Sequence, residues 1–430
     1  MLTNTIRGRV LQPGDEGFDE ARRPWNLAID QPVAAVVEAA DADDVVAVVR
    51  AAREAGLAVA PQGTGHGATG DVDGVILLRT HRLDSLEIRP DERTARVGAG
   101  VQWGRVQAAA APHGLTGLPG SSPVVGVAGY TLGGGLSWFG RRYGWASDGV
   151  RAFEIVDADG IRGTVTADTD PELFWALRGG GGGHALVTAV EFGLHPLPGL
   201  YGGRMLWPAT RAAEVFEAYT ALTATAPDEL TLWLDLLNFP GADPMVAVDA
   251  TYLGDADEGR ELLAGLEGLG GFLSDGRRAM ELTELGGITA EPTDPSPGLS
   301  RGETLTALDD TVVKALLGEP LAPLLSVQIR HLGGALARPS SGASGALAEP
   351  YSLYLFGVPA GPEVARGIRA RQEEIVQAVA PVLGSRKPYT YLAPGEDATA
   401  AFPADTVARL RDLKRDRDPH GVIRAGYRLG

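Results

Sequence analysis

Apolar positions along the chain recur at two periods, and the changes from one to the other outline its elements. From about Gln31 the run Val33-Ala-Ala-Val-Val37 reads as a strand. Asp41 then opens a helix with acids in its first turn, Val45, Val48, Val49 and Ala52 at helical spacing, and Gly56 closing it. Strands follow at Ala58–Ala60 and Gly74–Leu78, joined through the glycine-rich stretch Gln62–Gly70 and a turn at Asp71 and Asp73. Thr94–Val97 reads as a short strand, Trp103–His113 as a helix and Ala185–Phe192 as a further strand. Two more glycine-dense stretches, Gly117–Gly144 and Arg178–His184, interrupt this pattern.

Glycine becomes sparser after Pro196-Leu-Pro-Gly199, which marks a domain boundary. Beyond it come strands at Leu230–Leu237 and Met245–Leu253 and a helix at Glu258–Leu266. Ala337–Ala348, rich in Ser, Gly and Ala, reads as a mobile loop. It precedes a strand, Tyr351–Phe356, and a helix, Pro362–Leu383. The tail holds a helix, Thr406–Arg415, stopped by Asp418-Pro-His-Gly421. A chain of 430 residues is too long for one ordinary core, which also favours two domains.

Composition removes several classes of function. The longest apolar runs, such as Val45–Val49, fall far short of the roughly 20 residues that cross a bilayer, so no membrane partner is expected. Met1–Val10 lacks a signal-peptide core, which points to the cytoplasm. A net charge of −17 repels a phosphate backbone and argues against nucleic acid. With no cysteine there are no disulfides, thiolate metal sites or cysteine nucleophiles, and seven histidines are the remaining ring-nitrogen ligands or nucleophiles; no metal site is expected. Glycine, at 59 of 430 residues, is about twice its usual share of ~7% and is concentrated in loops, as backbone close to a ligand would be. A GC-rich genome would also raise it.

In the first glycine-rich loop Gly63, Gly65, Gly67 and Gly70 surround His66. Backbone amides there can approach a diphosphate while one imidazole is held at the ligand; a plain turn with an incidental histidine is the alternative. No lysine follows and no helix opens, so it is neither a P-loop nor a dinucleotide fingerprint. The second loop, Gly120-Ser-Ser-Pro-Val-Val-Gly-Val-Ala-Gly-Tyr-Thr-Leu-Gly-Gly-Gly135, has too many glycines for a stable helix and too many apolar residues for a linker. Either a flat ligand with a phosphate tail orders it, or it is a tight turn in the core.

These segments carry a resemblance. The His66 loop, Ser122-Pro-Val-Val-Gly-Val-Ala-Gly-Tyr130, Gly133-Gly-Gly135, Arg141-Arg-Tyr-Gly144, Phe174-Trp-Ala-Leu-Arg-Gly-Gly-Gly181 and Asp418-Pro-His-Gly-Val-Ile-Arg424 occur in the order seen in berberine-bridge-enzyme-like flavoproteins of the vanillyl-alcohol-oxidase type. The resemblance covers about residues 25–200, returns at Arg330-His-Leu-Gly-Gly334 and again in the tail. It implies an α+β fold: a two-subdomain FAD-binding domain over residues 1–200, an inserted α+β substrate domain (antiparallel sheet with helices) over 201–387, and a C-terminal segment, 388–430, returning to the FAD domain.

The implied cofactor is FAD. His66 resembles the histidine these proteins bond to the flavin 8α-methyl, a link that raises the flavin potential. Pro61, Gln62, Gly63, Thr64, Gly65 and Gly67 would line the cofactor from the first loop, and Gly120, Ser121, Ser122, Val125, Gly126, Gly129, Tyr130, Gly133, Gly134 and Gly135 from the second; Tyr143 and Val187 complete the set. Many relatives add a cysteinyl bond where this chain has Ser122, so no second covalent link is expected. The small Val125 favours an oxidase using molecular oxygen over a dehydrogenase. Relatives usually have Asn-Phe-Gly where this chain has Gly183-His-Ala185, leaving His184 as a displaced cofactor contact, an exposed loop histidine or a sign that the cofactor is held differently. Candidates for the catalytic base are Tyr391 and Tyr389 in Pro388-Tyr-Thr-Tyr-Leu392, Tyr354, and His331. A small organic substrate is expected. A dehydrogenase and a non-catalytic binding protein of the same fold are the alternatives.

Overall fold

The computed structural model describes residues 6–429, so Met1–Thr5 of the amino-terminal reading, and Gly430, lie outside it. The clearest element of the sequence forms as its pattern dictates. Ala42–Ala55 is a helix whose N-cap, Asp41, accepts bonds from the Asp43 and Asp44 amides, while Gly56 ends it at φ 66°. Its face of Val45, Val48, Val49 and Ala52 is buried. Beside it lies a four-stranded sheet in the order Arg9–Leu11, Ala35–Glu38, Ile76–Arg79, Val59–Gln62, the last three strands parallel. The His66 loop therefore leaves the end of Val59–Gln62 and crosses back to that strand's own neighbour.

A second, antiparallel sheet runs in the order Leu86–Arg89, Thr94–Gly98, Leu186–Gly193, Val150–Val156, Arg162–Val165. The third sheet is the largest. Its main strands are ordered Tyr201–Pro208, Met245–Tyr252, Leu230–Leu237, Ser326–His331, Tyr351–Gly357, Leu299–Leu305, all pairing antiparallel. One face is apolar, with Leu232, Leu234, Val248, Ile329 and Leu353 buried among residues of the helices Ala212–Thr223, Asp310–Leu317 and Pro362–Ala378. The other face is polar. After the tail helix Ala404–Arg417 the chain returns to the first sheet, where the Val59 amide donates to Val422 (2.7 Å) and the Arg424 amide to Val59 (2.8 Å).

Four expectations change. The second glycine loop does contain a helix, Val127–Leu132, because Val127, Ala128 and Leu132 bury against the core and that packing outweighs the low propensity of Gly129. Glu258–Leu266 is divided into Ala256–Leu262 and Ala264–Glu267. The long helix from Pro362 stops at Ala378, with Pro381 just beyond in a short 3-10 turn where it cannot continue the α ladder. Ala337–Ala348 is packed, not mobile: Ala343, Ser344 and Leu347 are buried, and Arg386 donates to the Ser344 carbonyl (2.7 Å).

Candidate active site

His66 is fixed from both sides. Its ring stacks on Trp25, with centroids 4.3 Å apart and planes 16° from parallel, and Thr64 Oγ1 lies 2.8 Å from Nδ1. The other ring nitrogen, Nε2, is buried without a partner. Burial lowers the imidazole pKa to about 4, so the ring is neutral near pH 7 and keeps a lone pair. Gly65 makes this turn possible: φ is 87°, and a Cβ there would stand 2.8 Å from Pro24. Trp25 was absent from the sequence-derived site because no local pattern ties it to a loop forty residues later.

The second glycine loop folds onto the first. A Cβ on Gly126 would lie 3.7 Å from Thr64, and Gly129 faces open space. Gly135, at φ 78°, gives way to the Tyr130 ring, which a Cβ there would meet at 2.5 Å. The buried side-chain atoms Gln62 Nε2, His66 Nε2, Ser122 Oγ, Tyr130 Oη and Thr131 Oγ1, all from the two loops, have no hydrogen-bond partner. Buried polar groups are rarely left so, and five on two adjoining loops fit a polar ligand held between them. The side-chainless backbone suits a flat ring and a phosphate tail, so these residues fit FAD. Pro61 and Gln62 end the Val59–Gln62 strand, while Gly63, Gly67, Gly120, Ser121, Val125, Gly133 and Gly134 belong to the same two loops.

Two residues of the expected set have other surroundings. Val187 is buried in Leu186–Gly193 beside a register shift. Tyr143 stacks on His195 (4.0 Å) and donates to the Pro196 carbonyl (3.1 Å). His184 is not exposed. It is buried, Nε2 lies 3.0 Å from the Leu410 carbonyl of the tail helix, and burial lowers its pKa to about 4.

The proposed bases separate. Tyr391 is buried with its hydroxyl 3.2 Å from Ser352 Oγ and its ring 5.5 Å from Tyr354. Tyr389 turns away from Tyr354, against Tyr427, Phe402, Gly181 and Gly133 of the second glycine loop, where burial pushes its phenol up to about 12. Strand alternation puts His331 on the face opposite Arg330. There its Nε2 lies 2.9 Å from Arg141 Nη1, and burial plus that cation lower its pKa to about 3. A ring nitrogen accepting from a guanidinium is a poor proton acceptor, so His331 is tied into the junction between the glycine loops and the large sheet and stands outside the site.

Arg330, which sequence reasoning passed over for its neighbour, is the centre of the polar face. Its guanidinium lies 3.9 Å over Trp233, 5.3 Å over Tyr354 and 5.7 Å over Tyr391. Burial raises the Tyr354 and Tyr130 phenols, and the Arg330 charge opposes that rise. Trp233 stacks at 3.6 Å on Trp138, just past the second glycine loop, which sets this face against the flavin-binding part.

A model of the FAD binding domain family matches residues 33–165, the stretch with the first two glycine loops. Along nearly its whole length the chain is similar to (R)-6-hydroxynicotine oxidase of Paenarthrobacter nicotinovorans, at 29% identity over 461 aligned residues covering 99% of this chain and 97% of that one. Two solved structures share the fold. They are 6-hydroxy-D-nicotine oxidase from Arthrobacter nicotinovorans (TM-score 0.88, 24% identity, covering 100% of this chain and 99% of that one) and BBE-like 1 of Physcomitrella patens (TM-score 0.88, 19% identity, 100% and 98%).

Proposed function

We propose that this chain, an FAD-linked oxidoreductase, is a flavoprotein of the berberine-bridge-enzyme-like, vanillyl-alcohol-oxidase type and an oxidase for a small organic substrate, with its flavin bonded to His66. Bound there, FAD would supply hydride acceptance from a carbon bearing oxygen or nitrogen, with O₂ as the final electron acceptor and H₂O₂ as its product. The observation that carries this reading is the pairing of a neutral, buried, half-unpartnered His66 with a glycine cradle on one side and the Arg330 face on the other.

In this reading Gln62, Ser122 and Thr131 hold the cofactor, and Ser122 offers no thiol for a second link. Tyr391 takes the substrate proton, directly or through Ser352, with the Arg330 guanidinium 5.7 Å over its ring. Tyr354 orients the substrate beside it, and the strand pairing closes this face to water from the helix side. Val125, partly buried and small, leaves room for O₂. Among the described residues no helix is long and apolar enough to cross a membrane.

Acid precipitation of the purified protein tests the anchor. Yellow colour should stay in the pellet, be lost from it in His66→Ala, and move to the supernatant in that variant; a yellow supernatant from the unaltered protein would refute the covalent link while leaving FAD in place. Oxidase action is checked by H₂O₂ release matching O₂ uptake. Slow reoxidation of the reduced protein in air would favour a dehydrogenase instead.

A further inference from the structure

A row of polar side chains crosses the large sheet on the face of Arg330. Strand pairing aligns Arg204, Asp249, Trp233, Arg330, Ser352 and Thr304 on six successive strands, with Asp235, Gln328 and Tyr354 in the next row. The two acids differ in how they are served. Asp249, fully buried, takes Arg204 through both oxygens, at 2.6 and 2.7 Å. Asp235, only 4% exposed, receives Arg204 Nη2 at 3.2 Å and Gln328 Nε2 at 3.1 Å on Oδ2 alone. Its Oδ1 is buried and accepts nothing.

We infer that Asp235 is a specificity determinant whose free oxygen receives the protonated nitrogen of an amine substrate. The inference rests on the oxidase reading and narrows its substrate from a C–O or C–N compound to an amine. Charge balance selects a cation over a neutral donor. The groups facing one another here are Asp235, Asp249 and Glu291 against Arg204 and Arg330, one negative charge in excess, with the phenols of Tyr354, Tyr391 and Tyr130 around them. Arg330 does not supply the missing bond, because its Nε is given to Gln328 Oε1 (2.6 Å) and its plane lies on Trp233. The face is also next to the cofactor loops: the turn Leu282–Gly287, which leads to Glu291, rests on Pro123, which a Cβ on Gly286 would meet at 2.8 Å. Burial, and after it the neighbouring Asp249, raise the Asp235 carboxyl to about 7, so near neutral pH it is only partly ionised and an arriving cation would favour its carboxylate form.

The test uses the holoprotein and two probes of one shape, 2-phenylpyrrolidine, a cation near neutral pH, and its neutral oxygen isostere 2-phenyltetrahydrofuran. Calorimetric titration should show the amine bound at least about tenfold more tightly than the ether, and Asp235→Asn should bring the two within about threefold. In the unaltered protein the amine's affinity should rise between about pH 6 and 8, and the ether's should stay flat. This pH series decides the matter even if Asp235→Asn does not fold. Equal binding of the two probes, binding of neither, or a preference that survives Asp235→Asn would overturn the inference. The heat of binding is read without flavin reduction, so a colourless or inert protein counts against the oxidase reading separately.

Discussion

The pH dependence of the proposed flavin attachment offers a close test of the His66 environment. Attack on the flavin methyl needs a neutral imidazole, and the structure holds that ring neutral down to about pH 4 because burial strips the imidazolium of water. At about pH 5.5 an ordinary histidine would be only about 9% neutral, whereas a histidine at about 4 is about 97% neutral, a difference of about tenfold. Apoprotein mixed with FAD at about pH 8 and about pH 5.5, quenched in acid and read by in-gel flavin fluorescence, should therefore attach flavin at rates within about twofold of each other. A drop near tenfold at the lower pH would mean that the ring titrates like an exposed histidine. The picture of His66 sealed between Trp25 and the second glycine loop would then be wrong.

Further outcomes follow from other parts of the structure. Arg141→Met should cost about 4 kcal/mol in urea unfolding, because the carbonyls of Ala226, Pro227, Leu230 and Leu332 lose their donor at about 1 kcal/mol or more each; a loss under about 1 kcal/mol would show that these groups reach water. His184 has a folded pKa below its unfolded one, so its contribution is complete above about 6.5 and is lost as pH falls towards 4. Between about pH 7.5 and 5 the unaltered protein should lose about 2 kcal/mol more stability than His184→Gln, as measured by denaturant titration at both pH values. Tyr391→Phe should lower kcat by about a hundredfold or more while Tyr389→Phe leaves it within about twofold, measured on any substrate that bleaches the flavin; equal losses would remove Tyr391 from its role.

Much of the local structure could be read in the chain. The helix Ala42–Ala55 was legible to its caps because capping and a 3.6-residue period are properties of adjacent residues. The strands Leu230–Leu237 and Tyr351–Gly357 were equally plain. Glycine-dense stretches marked the two loops of the candidate site, since only glycine tolerates the positive φ at Gly65 and the close approach of Tyr130 at Gly135. The helix Val127–Leu132 was missed for the same reason: its stability comes from buried contacts, which propensity does not record. A single acid inside an apolar strand, Asp235 between Leu234 and Leu236 or Asp249 between Val248 and Ala250, was a signal that could have been followed.

What the sequence by itself determined was the set of elements, the glycine loops and the histidine at their centre, all consequences of short-range sterics and periodicity. Where each of the neighbouring candidates lies was decided only by the tertiary structure. His331 and Arg330 are adjacent in sequence, yet alternation along a strand sends one to Arg141 and the other over Trp233. Tyr389 and Tyr391 are two apart and diverge at a 3-10 turn. The row from Arg204 to Thr304 unites residues from six strands, and its register is fixed by the apolar residues that the opposite face buries. Charge meets charge across that row because a one-residue slip would expose the core, a constraint that exists only once the strands are paired.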